Sequence, residues 1–347
     1  MFEFLVSFAG FLFLVVILNP ISNKIGLVDK PSVRKQHEGD IPLIGGLAMF
    51  GSCSLAALFY VPGSNEMSYL LAACGLLVMT GSIDDRFDLH YRIRLASQAV
   101  ATCLLVFGAD THLSSFGNIL GYGEMSLGLF SIPITVLAVI GMVNAFNMID
   151  GIDGLSGGIG LISTTGLYIL IGDIISDGAE NILILMMGAL SAYLMLNLHF
   201  FPKWTPKIFM GDAGSMVLGF VIVTFLIKYS QDSKVIIMPV TALWIVAVPL
   251  MDIIATSIRR IRHGKNPFHP DRTHVHHIFL RAGFSKRFTL LSILSIQLTA
   301  TLLGIYFESV KNSLFSFLAF MIVYFIYLLA IKHAFKAAKI LRKIRNI

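Results

Sequence analysis

Asn147-Met148-Ile149-Asp150-Gly151-Ile152-Asp153-Gly154 lies between two apolar runs, at 127–146 and 155–176. Runs of about 18–22 apolar residues are long enough to cross roughly 30 Å of hydrocarbon as helix. A polar, glycine-containing joint between two of them therefore reads as a turn at a membrane surface. Working outward, comparable runs recur at 2–19, 43–62, 68–83, 93–109, 181–200, 209–228, 236–258, 288–306 and 314–332. Together they predict about eleven transmembrane helices, or about ten because the 68–83 and 93–109 runs are short for the bilayer. Composition agrees: 56% of residues are hydrophobic and 13% charged, with a mean hydropathy of +0.80, whereas about a quarter of a soluble domain is charged. The expected fold is an all-α polytopic integral membrane protein, a single multi-pass domain over 1–347 without soluble domain, low-complexity linker or internal repeat.

The basic residues set the expected orientation. With the N-terminus outside and the C-terminus cytoplasmic, 23 of the 26 Lys and Arg fall on inner connections, leaving Lys228, Lys234 and Lys311 on the outer side. That asymmetry is the positive-inside pattern, so the net charge of +6 describes a basic cytoplasmic face and not nucleic-acid binding. Glu3 replaces a basic leader, so the first span reads as an uncleaved anchor. Cys53, Cys74 and Cys103 stand singly in apolar runs, as packing residues without metal-ligand spacing.

Every motif of chemical interest falls on an inner connection: 24–46, 84–94, 144–157, 203–214 and 259–287. In Asp84-Asp85-Arg86-Phe87-Asp88, positions 84 and 88 are expected one helical turn apart, so their carboxylates can face one ion. Acids this close need a divalent cation or basic groups to hold their charge. A solvated helix end explains one such cluster, but not a recurrent one. In the 147–154 joint, Asn147, Asp150 and Asp153 recur every three residues without Lys or Arg nearby; the glycines allow close approach of backbone to ligand, and the following helix offers free N–H groups. Gly211-Asp212-Ala213-Gly214-Ser215 repeats the pattern of glycine, acid, glycine and hydroxyl before an apolar helix. Mg²⁺ uses one or two carboxylates and completes its shell with phosphate and water, a role that fits Asp212 with Asp85.

The longest inner loop joins Arg259, Arg260, Arg262, Lys265 and Arg272 to His263, His269, His274, His276 and His277. No cysteine is near, so a phosphate-holding loop is a better reading than zinc. His37, after Arg34-Lys35, is a further candidate for phosphate contact. Asp252, within an apolar run, is expected to pair with a loop base or to act chemically.

With these motifs in order, the chain resembles the polyprenyl-phosphate N-acetylhexosamine-1-phosphate transferases from about Arg34 to Gly283. The resemblance implies Mg²⁺ (or Mn²⁺) as cofactor and undecaprenyl phosphate as acceptor, whose phosphate attacks the β-phosphorus of a UDP-sugar and releases UMP. It implies Asp84, Asp85 and Asp88 as the catalytic acid cluster, Asp212 as the principal metal ligand, and Asn147, Asp150 and Asp153 as organisers of the nucleotide and metal. Arg272, His274, His276 and His277 are implied to close over diphosphate and sugar. The interrupted His274-Val275-His276-His277 favours UDP-N-acetylglucosamine (UDP-GlcNAc) as donor over the muramyl-pentapeptide branch, which carries three consecutive histidines. The expected setting is the bacterial inner membrane with the site cytoplasmic, in O-antigen or enterobacterial common antigen synthesis; a teichoic-acid initiator uses the same donor and acceptor. Membrane lipids are expected partners, nucleic acid is not, and a homodimer is left open. A cation-coupled transporter fits poorly, since its acids would sit near mid-membrane.

Overall fold

The computed structural model describes residues 1–347 except 32–38, 62, 173–177, 204, 232–235, 267–272 and 346–347, and describes no side chains beyond His333. Thirteen helices dominate the described residues: α1 (Phe2–Ile25), α2 (Gly45–Tyr60), α3 (Asn65–Phe87), α4 (Tyr91–Gly108), α5 (Ser131–Ile149), α6 (Leu155–Ile171), α7 (Ala179–Asn197), α8 (Gly211–Gln231), α9 (Pro239–Ile245), α10 (Ala247–Arg262), α11 (Val275–Arg281), α12 (Lys286–Val310) and α13 (Ser313–Arg345). Each predicted apolar run is mostly helical over its described residues. Among the described residues, seven helical segments are long and apolar enough to cross a membrane, or eight if α9 and α10 count as one bent span; α2 and α6 are apolar but shorter. The chain is an all-α polytopic membrane protein. The β-structure is a ribbon pairing Val28–Asp29 (β1) with Ile41–Pro42 (β2), which draws together the ends of the first polar connection, and an isolated bridge between Ser115 and Ser126.

The helix α8 is the axis of the bundle. It is apolar on every side, so it can be satisfied only by being surrounded. Its most hydrophobic window is 94% buried, against 17% for α1 and 11% for α13, which face outward. Around it pack α2, α3, α5 and α6. Two of these crossings depend on missing side chains: a Cβ on Gly46 would lie 2.2 Å from Gly214 N, and one on Gly81 would lie 2.4 Å from Ala213 Cα. Without a hydrophobic force between helices in lipid, such close backbone approach supplies the dispersion contacts that hold them. It also brings the ends of α2 and α3 against the first turn of α8.

The run at 236–258 departs from its expected single span. It breaks at Val246, and α9 and α10 meet at 87°. A break inside an apolar bundle frees backbone groups that need new partners. Gln297 of α12 supplies them, donating from Nε2 to Ile245 O (2.9 Å) and accepting at Oε1 from Val248 N (3.0 Å). Ser163 of α6 also donates to Ile245 O, at 2.7 Å. At the other end of α9, the buried Glu308 accepts from Met238 N (2.9 Å) and from Lys311 Nζ (2.6 Å). The break redirects α10, and with it Asp252.

Candidate active site

The C-terminus of α3, the N-termini of α4, α6 and α8, and the C-terminus of α5 meet at one end of the bundle. Arg94, in the first turn of α4, donates from Nη1 to Asp84 Oδ2 (2.8 Å) and to Asp212 Oδ2 (3.3 Å). Asp84 is 5% exposed, and its other oxygen accepts from Leu89 N at 2.7 Å. Asn147 donates from Nδ2 to Asp212 Oδ1 (2.8 Å) and to Ser215 Oγ (3.0 Å). Two oxygens of Asp212 are thus oriented by groups from two other helices.

Asp85 does something the sequence did not announce. Its Oδ1 accepts from Asp212 N (2.9 Å) and its Oδ2 from Ala213 N (3.4 Å), so a residue of α3 caps the N-terminus of α8. The carboxylate satisfies N–H groups that have no partner inside the helix and sits at the positive end of the helix dipole. Gly211 permits the approach: its φ is +70°, and a Cβ there would lie 2.5 Å from Asp85 Oδ2. The cap of α8 thus comes from a segment more than 120 residues away in sequence.

Asp88 does not share a helical face with Asp84. The helix α3 ends at Phe87, and Asp88 is exposed in the left-handed region (φ 51°), its N–H closing on Asp84 O at 2.8 Å. A C-terminal left-handed residue turns the chain out of the helical path, so the spacing of four no longer aligns the two carboxylates.

The joint after α5 carries Asp150 and Asp153. Lys207 donates to Asp153 Oδ2 at 2.6 Å, which ties the joint to the segment leading into α8. Asn197 of α7 accepts from Gly154 N (2.6 Å) and donates to Ile208 O (2.9 Å), fastening the same two segments from below. Asp150 is half-buried beside them. Burial first, then the charges of Asp212 and Asp153, push its carboxyl up to about 7. The polar connection before α2 joins this end too: Gly45 N and Gly46 N donate to Phe209 O and Met210 O, each at 2.9 Å.

The histidine turn reaches the joint from the other side. A Cβ on Gly151 would lie 2.1 Å from His276 Nε2, so the absence of a side chain makes room for the ring. His276 is 1% exposed, and neither ring nitrogen has a hydrogen-bond partner among the described residues. Burial, then neighbouring His277 and His274, hold its pKa well below the ordinary value, so it is a neutral imidazole. The His277 ring lies 4.1 Å away. His274 is buried on Asp252, with Nδ1 at 2.7 Å from Oδ2. Asp252 thus pairs with a loop base, His274. His37 and Arg272 lie outside the described residues.

Residues 67–230 match glycosyl transferase family 4. Over 336 residues, covering 94% of this chain and 89% of the relative, the sequence is 41% identical to the undecaprenyl-phosphate alpha-N-acetylglucosaminyl 1-phosphate transferase of Escherichia coli K12. The proteins of that name from Haemophilus influenzae and Salmonella typhi are 40% and 38% identical, over 100% and 96% of this chain and 98% and 91% of their own lengths. The chain belongs to this transferase family. Within a family 4 transferase the convergence just described gives the motifs a common location: acids from α3 and α8, an amide from α5, a guanidinium from α4 and a histidine turn.

Among the described residues, no group of three or more His, Cys, Asp or Glu is arranged to hold a metal by itself. The donor set nevertheless suits a hard cation that brings its own phosphate ligands. Asp84, Asp85, Asp150, Asp153 and Asp212 gather at this end, where Arg94 pairs with Asp84 and Asp212 and Lys207 with Asp153.

Proposed function

We propose that this chain transfers N-acetylglucosamine-1-phosphate from UDP-GlcNAc to undecaprenyl phosphate, forming undecaprenyl-diphospho-N-acetylglucosamine and UMP. The observation that carries the reading is the meeting of Arg94, Asp84, Asp212 and Asn147, four residues from four helices, at one end of a membrane bundle. Phosphoryl transfer chiefly needs positioning and charge neutralisation, and this arrangement supplies both where a lipid-borne phosphate can arrive from the bilayer.

Asp212, with Asp85 beside it, would hold Mg²⁺ or Mn²⁺, which neutralises charge on the diphosphate when bound. Asn147 and Arg94 orient the Asp212 carboxylate. Asp84 is held by Arg94 next to the place where the lipid phosphate enters, and Asp150 and Asp153 organise the nucleotide side of the site. His276, neutral, can donate or accept through its ring nitrogens toward the diphosphate or sugar. In the transfer itself, an oxygen of undecaprenyl phosphate bonds to the β-phosphorus while the bond from that phosphorus to the bridging oxygen breaks, and UMP leaves with the electron pair. The site faces the cytoplasm of the inner membrane, and the product starts a lipid-linked glycan of the O-antigen or enterobacterial common antigen type.

The test supplies purified protein with undecaprenyl phosphate and Mg²⁺ and offers UDP-GlcNAc, UDP-GalNAc or UDP-MurNAc-pentapeptide separately. UMP release with UDP-GlcNAc alone is expected; none with UDP-GlcNAc would sink the assignment.

A further inference from the structure

We propose that Asp252 and Tyr327 are positioning residues of the transfer reaction, acting through His274. The inference rests on the reading of the histidine turn as part of the transferase site.

Asp252 is 2% exposed, inside α10 beyond the break. Three donors from two parts of the chain, the histidine turn and α13, converge on it. His274 Nδ1 lies 2.7 Å from Oδ2, while Oδ1 accepts from Val275 N at 3.0 Å and from Tyr327 Oη at 2.9 Å. A carboxylate accepting all three leaves the His274 proton on Nδ1, which fixes the tautomer and the ring plane. The Nε2 of His274 is buried without a hydrogen-bond partner among the described residues. Its ring is nearly parallel to that of His276, 7° between planes at a centroid distance of 6.2 Å, and His276 fills the space beside Gly151. A path of contacts therefore runs from α13 through Asp252 to the turn that faces the catalytic joint.

The energetics argue for a role beyond packing. Burying a carboxylate and an imidazole has a desolvation cost, and apolar residues of similar volume commonly hold helices together as well or better. What an apolar substitute cannot do is choose the tautomer of His274. Tyr327 is the polar tie of an otherwise outward-facing helix to this point, and its hydroxyl steadies the same oxygen that holds Val275 N.

The test compares Asp252→Asn, Tyr327→Phe, His274→Ala and the double variant Asp252→Asn/His274→Ala for UMP release from UDP-GlcNAc, with melting temperatures alongside. Asp252→Asn keeps volume and should lower kcat about 10–100-fold, the scale seen when the carboxylate behind a metal-bound histidine is removed, without lowering the melting temperature to match. Tyr327→Phe should lose less. In the His274→Ala background, Asp252→Asn should add nothing further; multiplicative losses would overturn the inference while leaving the transferase assignment intact. Nitrogen NMR of histidine-labelled protein reads the tautomer without turnover. A proton on Nδ1 of His274, assigned by its loss in His274→Ala and displaced in Asp252→Asn, is expected. An Nε2–H tautomer in the unsubstituted protein, or an unchanged spectrum in Asp252→Asn, would overturn it.

Discussion

Arg94 and Asp212 are 118 positions apart in sequence and meet at 3.3 Å, with the same guanidinium nitrogen 2.8 Å from Asp84. One cation thus joins the acids of α3 and α8 at the end of the bundle.

Replacing Arg94 by Ala should therefore harm both function and stability. Asp84 has a side chain only 2% exposed, and leaving a buried charge without its partner costs about 3–5 kcal/mol; with Arg94 itself 21% exposed, the lower end is expected. UMP release should fall at least about 100-fold, the scale of losing a donor that organises a charged transition state. Lys at 94 should restore part of both, because one guanidinium nitrogen makes both contacts and an ammonium can offer three donors from one nitrogen. Melting temperature and turnover of the two variants check this, and an active, stable Arg94→Ala protein would contradict it.

Two glycines should respond differently to alanine. At Gly46 the new Cβ meets backbone of α8, Gly214 N at 2.2 Å, which cannot move aside without shifting a helix. At Gly151 it meets the end of the His276 ring, which can rotate away. Overpacking costs typically about 1–3 kcal/mol and more where backbone must shift, so Gly46→Ala should give little folded protein on size exclusion. Gly151→Ala should elute normally yet lose turnover. The opposite pattern would show a loose α2–α8 crossing and a His276 that contributes little to turnover.

The carboxyl of Asp150, pushed up to about 7 from an ordinary 3.8 chiefly by burial, should make metal-free stability depend on pH. The folded chain holds this proton more tightly than the unfolded chain. Its contribution is therefore fully present below the unfolded pKa and is lost as pH rises between about 4 and 7. Melting temperatures of the metal-free protein should fall across that window, and Asp150→Asn should flatten the slope. An identical slope in the variant would place the titration elsewhere.

The apolar runs and the polar joints between them were legible from the sequence, because a bilayer imposes length and composition on every span. The acids of 84–85, 147–153 and 212 stood out for the same reason, lying at the ends of runs that otherwise exclude charge. What they would touch was not legible. Nothing around Arg94 in the sequence points to Asp212, since their bridge depends on how the helices pack. Asp85 as the cap of α8 depends on Gly211, and neither residue points to the other in sequence. Asp88 was placed on the wrong face because nothing in Arg86-Phe87-Asp88 marks a helix end when Asp occupies the left-handed position that glycine usually fills. The break at Val246 was hidden inside a continuous apolar stretch. Its signal lay elsewhere, in the isolated Gln297 and Glu308 of α12, polar residues in an apolar helix whose partners are the backbone ends that the break creates.

The most direct test of the central claim follows labelled N-acetylglucosamine-1-phosphate from UDP-GlcNAc into the lipid phase, using purified protein, undecaprenyl phosphate and Mg²⁺. The Asp212→Asn variant serves beside the unsubstituted chain, with Asp85→Asn as a companion. The unsubstituted protein should label the lipid, and both variants should be inserted and folded but inactive, because the converged acids lose the charge that the diphosphate and its cation require. Near-normal labelling by Asp212→Asn would contradict the account.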